Sequence, residues 1–72
     1  MEQEPLKEVK DNGQTFVLMD GRVLSVDSRD RLVAMRWLPN TLLEISHTDV
    51  DPLFNLCVKV AGTDEEIRAS WR

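Results

Sequence analysis

Only a handful of side chains in this 72-residue chain could carry chemistry. The stretch "LLEISHTDVDPL", residues 42–53, puts the single histidine, His47, shortly before Asp49 and Asp51. The single cysteine, Cys57, lies downstream, and Glu65–Glu66 form an adjacent carboxylate pair. A zinc site asks for three or four well-placed ligands, and His47 would be its only nitrogen donor. A calcium loop asks for more oxygen ligands and a glycine at its sharp turn, and "DVDP" has neither. Cys57 with His47 is the one conceivable thiolate–imidazole pair. Strand alternation puts these two on opposite faces, with Cys57 across from Glu44, a carboxylate that would raise a thiol pKa. Glu65 and Glu66, as neighbours in a helix, would point apart. The sequence contains no G-x-S-x-G, no CxxC and no glycine-rich phosphate loop. The expectation is a non-enzymatic protein with no catalytic residues, no metal ligands and no cofactor.

The elements that must position these groups follow from periodicity. Residues 1–13 are polar apart from Leu6 and Val9 and are expected to form a flexible or weakly helical tail, leaving 14–72 as a single small β domain. From residue 14 the period is two: "TFVLM", "RVLSVD", "RLVAMRWL", "TLLEISH" and "LFNLCVKVA" read as strands separated by turn residues. A two-residue turn at Asp20–Gly21 would pair Leu18 with Val23 and Phe16 with Ser25. Three-residue loops at 28–30 and 39–41 bring Val23 opposite Met35 and Trp37 opposite Leu43. A four-residue loop at 49–52 pairs His47 with Phe54. One face then carries Phe16, Leu18, Val23, Val33, Met35, Trp37, Leu43, Ile45, Phe54, Leu56, Val58 and Val60, with His47 at its end. The predicted fold is mainly β: a five-stranded antiparallel meander curled into a small barrel of the SH3-like kind. "GTDEEIRASWR" completes it as a short C-terminal helix or as a sixth strand. The Thr63-x-x-Glu66 capping box favours the helix, whereas the strand would set Lys59 opposite Arg68.

In these registers the second face is half apolar, through Val17, Met19, Leu24, Val26, Leu32 and Ala34, and half polar, through Arg36, Glu44, Ser46, Cys57 and Lys59. A large exposed apolar patch asks for a cover. Val17, Leu24, Val26 and Leu32, with Trp71 as an aromatic anchor, are therefore the expected partner-binding residues. The formal charge is −4. It is concentrated in an acidic surface of Glu44, Asp49, Asp51, Asp64, Glu65 and Glu66. The expected function is an acidic protein-binding module that docks to a protein partner or to its own copy. One alternative is a nucleic-acid-binding regulator using Arg22, Arg29, Arg31 and Arg36; another is an acidic nucleic-acid mimic that inhibits a basic protein. Net negative charge disfavours nucleic acid as a partner. A lone cysteine, an acidic "MEQEPLKEVK" start and no membrane-length apolar run lead to the expectation of a cytoplasmic protein with no membrane association.

Overall fold

Alternating apolar residues satisfy one face of a sheet, but every strand also has two rows of backbone groups to pair. This chain pairs them all around a ring. The computed structural model describes residues 2–49 and 52–72. It contains β1 (Glu2–Lys10), β2 (Thr15–Leu18), β3 (Val23–Val26), β4 (Leu42–His47), β5 (Leu56–Val60) and β6 (Glu66–Trp71). A crossover holding the one-turn helix α1 (Arg31–Ala34) joins β3 to β4. Two three-stranded meanders thus face each other. β1 pairs with β4 and β3 with β6, closing an antiparallel barrel in the order β1-β2-β3-β6-β5-β4. The protein is a mainly-β small barrel, with the sixth strand in place of a C-terminal helix.

Four local expectations are corrected. Residues 2–10 are the longest strand rather than a tail. The first half of β1 pairs with β4 and the second half with β2, with an irregularity at Lys7. Pro5 is tolerated because its carbonyl accepts from Met19 N on the β2 side. Its nitrogen faces the same way, past the end of β2, where no hydrogen bond is needed. Tertiary pairing makes this strand, since only Leu6 among its residues is fully buried.

"RLVAMRWL" is not a strand. Asp27 accepts from Arg29 N and starts a 3-10 turn (Ser28–Asp30) that runs into α1, and hydrogen bonds from Met35, Arg36 and Trp37 continue the winding. Asp27–Ser28 ahead of the arginine–leucine run is helix-start chemistry that outweighs the run's weak alternation.

The Asp20–Gly21 hairpin has a three-residue loop, with Gly21 N donating to Leu18 O and Leu18 N to Arg22 O. Gly21 takes φ +94, the left-handed position this loop type requires. The result is a one-residue slip: Phe16 pairs with Leu24 and Val17 with Val23. Leu24 and Val26 therefore point into the barrel and Val23 outward.

The β4–β5 hairpin is longer than expected and pairs His47 with Leu56 instead of Phe54. A shift of two residues preserves faces, so Leu43, Ile45, Leu56 and Val58 line the core as predicted. In β6, Lys59 meets Glu66 and Cys57 meets Arg68, which removes the like-charge clash that favoured a helix. Thr63 serves a turn: its hydroxyl donates to Val60 O and accepts from Glu65 N.

The core comprises Leu6, Phe16, Leu18, Leu24, Val26, Ala34, Trp37, Leu43, Ile45, Leu56, Val58, Ile67 and Ala69. Burying a large apolar side chain contributes roughly 1.5–3 kcal/mol, so these residues carry most of the stabilisation in a chain this short.

Candidate functional site

The strand directions give the barrel two unlike ends. One end is bounded by the turn at 11–14, the crossover and the β5–β6 turn. The crossover plugs it. Ala34 and Trp37, three residues apart on the wound segment, point inward, and the Trp37 ring lies 5.6 Å from that of Phe16. Trp37 Nε1 is buried without an acceptor among the described residues, a cost of about 1–3 kcal/mol that the buried ring must offset. The turn beneath the crossover is held tightly: Asp11, Asn12 and Gly13 all have positive φ, and Asp11 Oδ2 accepts from Thr15 Oγ1 at 2.8 Å. A Cβ on Gly13 (φ +93) would lie 2.7 Å from Arg31 O and 2.9 Å from Met35 Cβ. Only glycine lets the crossover seat at this distance.

The same crossover also carries exposed apolar side chains. Leu32, Met35 and Leu38, again three apart, are 65 %, 45 % and 70 % exposed. Arg29, Arg31 and Arg36 flank them. Arg29 binds the buried Asp27 carboxylate through Nε and Nη2 at 3.0 and 2.6 Å, and Arg36 reaches Glu65 at 3.3 Å. These hydrogen bonds from Arg29 hold the Asp27 carboxyl below the usual carboxylate range.

At the opposite end the inward-facing positions run out into a cleft of ≈ 350 Å³ lined by Glu2, Ile45, Ser46, His47, Leu56 and Trp71. Trp71, aligned inward behind Ile67 and Ala69, remains 36 % exposed at the rim. The Arg22 guanidinium covers one part of its ring, 4.5 Å from the centroid, and is itself held by Glu2 and Asp20. Hydrogen bonds from Arg22 pull the pKa of both carboxyls down, through its side chain for Glu2 and first through its backbone for Asp20. His47 keeps the predicted strand alignment but is exposed at this rim rather than partly buried. Asp49 is exposed beyond it, and Asp51 lies outside the described residues. Among the described residues, no three histidine, cysteine or acidic side chains are grouped to hold a metal ion.

A second cleft, of ≈ 320 Å³, lies between the crossover's start and β6, lined by Asp27, Arg29, Asp30, Glu66, Ile67 and Arg68. Its acids are engaged: Asp27 by Arg29, and Asp30 Oδ2 by Arg68 N at 2.8 Å. Cys57 is close to it on the barrel's outer face, its thiol donating to Glu66 Oε2 at 3.2 Å. Burial, then the Glu66 carboxylate, pushes the thiol pKa up. Cys57 and His47 sit on opposite faces, as expected, and the carboxylate beside the thiol is Glu66 rather than Glu44.

The predicted partner-binding set is divided by the one-residue slip. Leu24 and Val26 are core, Val17 is half-buried on the outer face, and Leu32 and Trp71 are exposed at opposite ends of the barrel. A period of two across "RLVAMRWL" does not reveal Met35 and Leu38 as surface residues, because the segment winds instead of extending. The predicted acidic set does not converge: Glu44 accepts from Gln3, Glu65 meets Arg36, Glu66 takes the Cys57 proton donor, and Asp64 is exposed in the turn. Nor do the four arginines form one stripe, since Arg22 is at the open end and the other three are at the plugged end. No helix among the described residues is long and apolar enough to cross a membrane. No protein family, curated protein or solved structure matches this chain.

Proposed function

We propose that this barrel is a non-enzymatic protein-binding module whose docking surface is the outer side of the crossover. The observation that carries this reading is the Leu32–Met35–Leu38 row. Leu32 and Leu38 are mostly exposed and Met35 partly so, although the segment bearing them is fastened to the core by Ala34, Trp37 and the contact of Arg31 and Met35 with Gly13 beneath it. Sinking them would require the crossover to roll and expose Trp37. A rigid backbone presenting apolar side chains loses little entropy on docking, which favours binding. The chemistry of the rest of the surface supports the same reading. Among the described residues His47 has no organised partner for proton transfer, the Cys57 thiol pKa is raised, and the carboxylates are tied to arginines or scattered.

The test is a photo-crosslinking amino acid placed at Leu38 and, separately, at Ser70 on the outer face of β6. Capture from Leu38 and not from Ser70, abolished by Leu32→Glu, is the expected result. Equal capture from both positions refutes the assignment of the surface.

A further inference from the structure

We infer that Asn12 is a spontaneous modification site, where the side-chain amide is converted to aspartate and isoaspartate, and that the seated crossover keeps this reaction shut off. The inference does not depend on the docking surface. It starts from the sequence: the three asparagines, Asn12, Asn40 and Asn55, are followed by Gly13, Thr41 and Leu56. All three asparagines are exposed. Only Asn12 precedes a residue without a Cβ, so only there is the next backbone nitrogen unshielded.

The chemistry needs nothing but water. The Gly13 backbone nitrogen gives up its proton and attacks Asn12 Cγ. The new N–C bond closes a five-membered succinimide, and the side-chain amide nitrogen takes up the proton and leaves as ammonia. Water then opens the ring at either carbonyl. Opening at one gives aspartate. Opening at the other gives isoaspartate, in which the main chain runs through the former side-chain carbons.

The intact turn forbids the first step. Ring closure requires Gly13 N to lie on the same side of the Cα–C bond as Asn12 Cβ. At φ 57 and ψ 38 it lies nearly opposite, out of reach of Cγ. Rotating that bond re-aims Gly13, and Gly13 is wedged under the crossover, where an added Cβ would lie 2.7 Å from Arg31 O and 2.9 Å from Met35 N. The flanks are tied as well: Thr15 Oγ1 donates to Asp11 Oδ2 at 2.8 Å and Gln14 N to Asp11 O at 3.2 Å. The ring therefore forms only when the turn opens and the crossover lifts, and such local openings set the rate.

The product does not fit back. Isoaspartate lengthens the main chain by one atom inside the turn that Gln14 N closes on Asp11 O. The extra length presses Gly13 against Arg31 and Met35, where no room is left. The crossover then loses the seat that keeps Ala34 and Trp37 inward. A chain that has opened at the plugged end and reacted is thus marked, and the mark holds that end loose.

The test follows the full chain at mildly alkaline pH, folded and in guanidinium chloride, by mass and by peptide mapping that separates isoaspartate. In denaturant Asn12 should react ahead of Asn40 and Asn55. In the folded protein it should react more slowly by about tenfold or more. Trp37→Phe, which loosens the plug, should speed the folded-state reaction, whereas Trp71→Phe at the open end should leave it near the unsubstituted rate. The purified isoaspartate form should melt at a lower temperature than the unreacted chain. Asn40 or Asn55 keeping pace with Asn12 in denaturant overturns the site. Equal rates in folded and unfolded protein, or equal acceleration by both tryptophan substitutions, overturn the gate. An unchanged melt of the isoaspartate form overturns its coupling to the crossover. The comparison of folded with unfolded protein uses the unsubstituted chain, so it decides the gate even if Trp37→Phe does not fold.

Discussion

The two ends of this barrel contrast in what fills them. At one end the chain folds a segment of its own across the opening, and an indole goes into the interior as far as Phe16. At the other end an indole aligned inward by its strand stops at the rim, roofed by an arginine and two carboxylates. The first closure uses buried apolar area, which water and salt do not weaken. The second uses exposed ion pairs and a cation–π contact, which water and salt screen. A tryptophan therefore fixes the fold at one end and mainly shields the interior at the other. The lesson is that inward strand alignment does not guarantee burial; the element lying across the end decides it.

The largest test of this contrast is a pair of truncations. Trp37→Ala should cost about 3–5 kcal/mol in denaturant unfolding, enough to unfold much of so small a domain, whereas Trp71→Ala should cost about 1 kcal/mol. Similar costs would erase the difference between the ends.

The glycines give the next contrast. Gly13→Ala, with its new methyl pressed on Arg31 O and Met35, should lose roughly 2–4 kcal/mol. Gly21→Ala has the same sign of φ but open space around it, so it should lose only about 1 kcal/mol. Thermal melts of the two proteins distinguish steric crowding from backbone strain.

Acid unfolding sharpens the comparison further. Asp27, Glu2 and Asp20 all have folded-state pKa values below their ordinary ones. Each thus adds stability that is present above pH about 4 and is lost as pH falls through the lowered folded value. The Asp27 carboxylate is buried and the other two are exposed. Raised salt should therefore flatten the contribution of Glu2 and Asp20 and leave that of Asp27. Asp27→Asn should remove the salt-resistant part of the slope between pH 4 and 2.

The smallest effect concerns reactivity. Iodoacetamide should label Cys57 slowly at pH 7.5, and Glu66→Gln should accelerate labelling modestly, because burial is the larger cause of the raised thiol pKa.

The sequence carried the second meander well. Leu43, Ile45, Leu56 and Val58 alternate cleanly between polar neighbours, so an error of two residues in the hairpin left every side chain on its proper face. The first meander was less legible for a definite reason. Asp20–Gly21 is compatible with both a two-residue and a three-residue loop, and Val23–Leu24 offers an apolar residue to either face. A one-residue ambiguity there exchanges core for surface, which is how Leu24 and Val26 came to be expected outside. β1 gave almost no signal because its strand character is conferred by β2 and β4 rather than by its own composition. At the crossover, the helix-start residues Asp27 and Ser28 also fit a turn, and as a turn they hide Met35 and Leu38 as surface residues. The aromatic of the open cleft, Trp71, was legible as an anchor; its neighbour His47 was legible as a strand end and not as a rim residue.

That β1 serves two partners also has a consequence in time. Its second half can meet β2 as soon as the first turn forms, but its first half must wait for β4, synthesised about forty residues later. β3 likewise waits for β6. Both seams are long-range pairings, the kind that place small all-β domains in the millisecond-to-second class of folders. The chain emerging from a ribosome therefore holds Glu2–Pro5 in reserve until Leu42–Ile45 arrives, and the moment of circularisation is late.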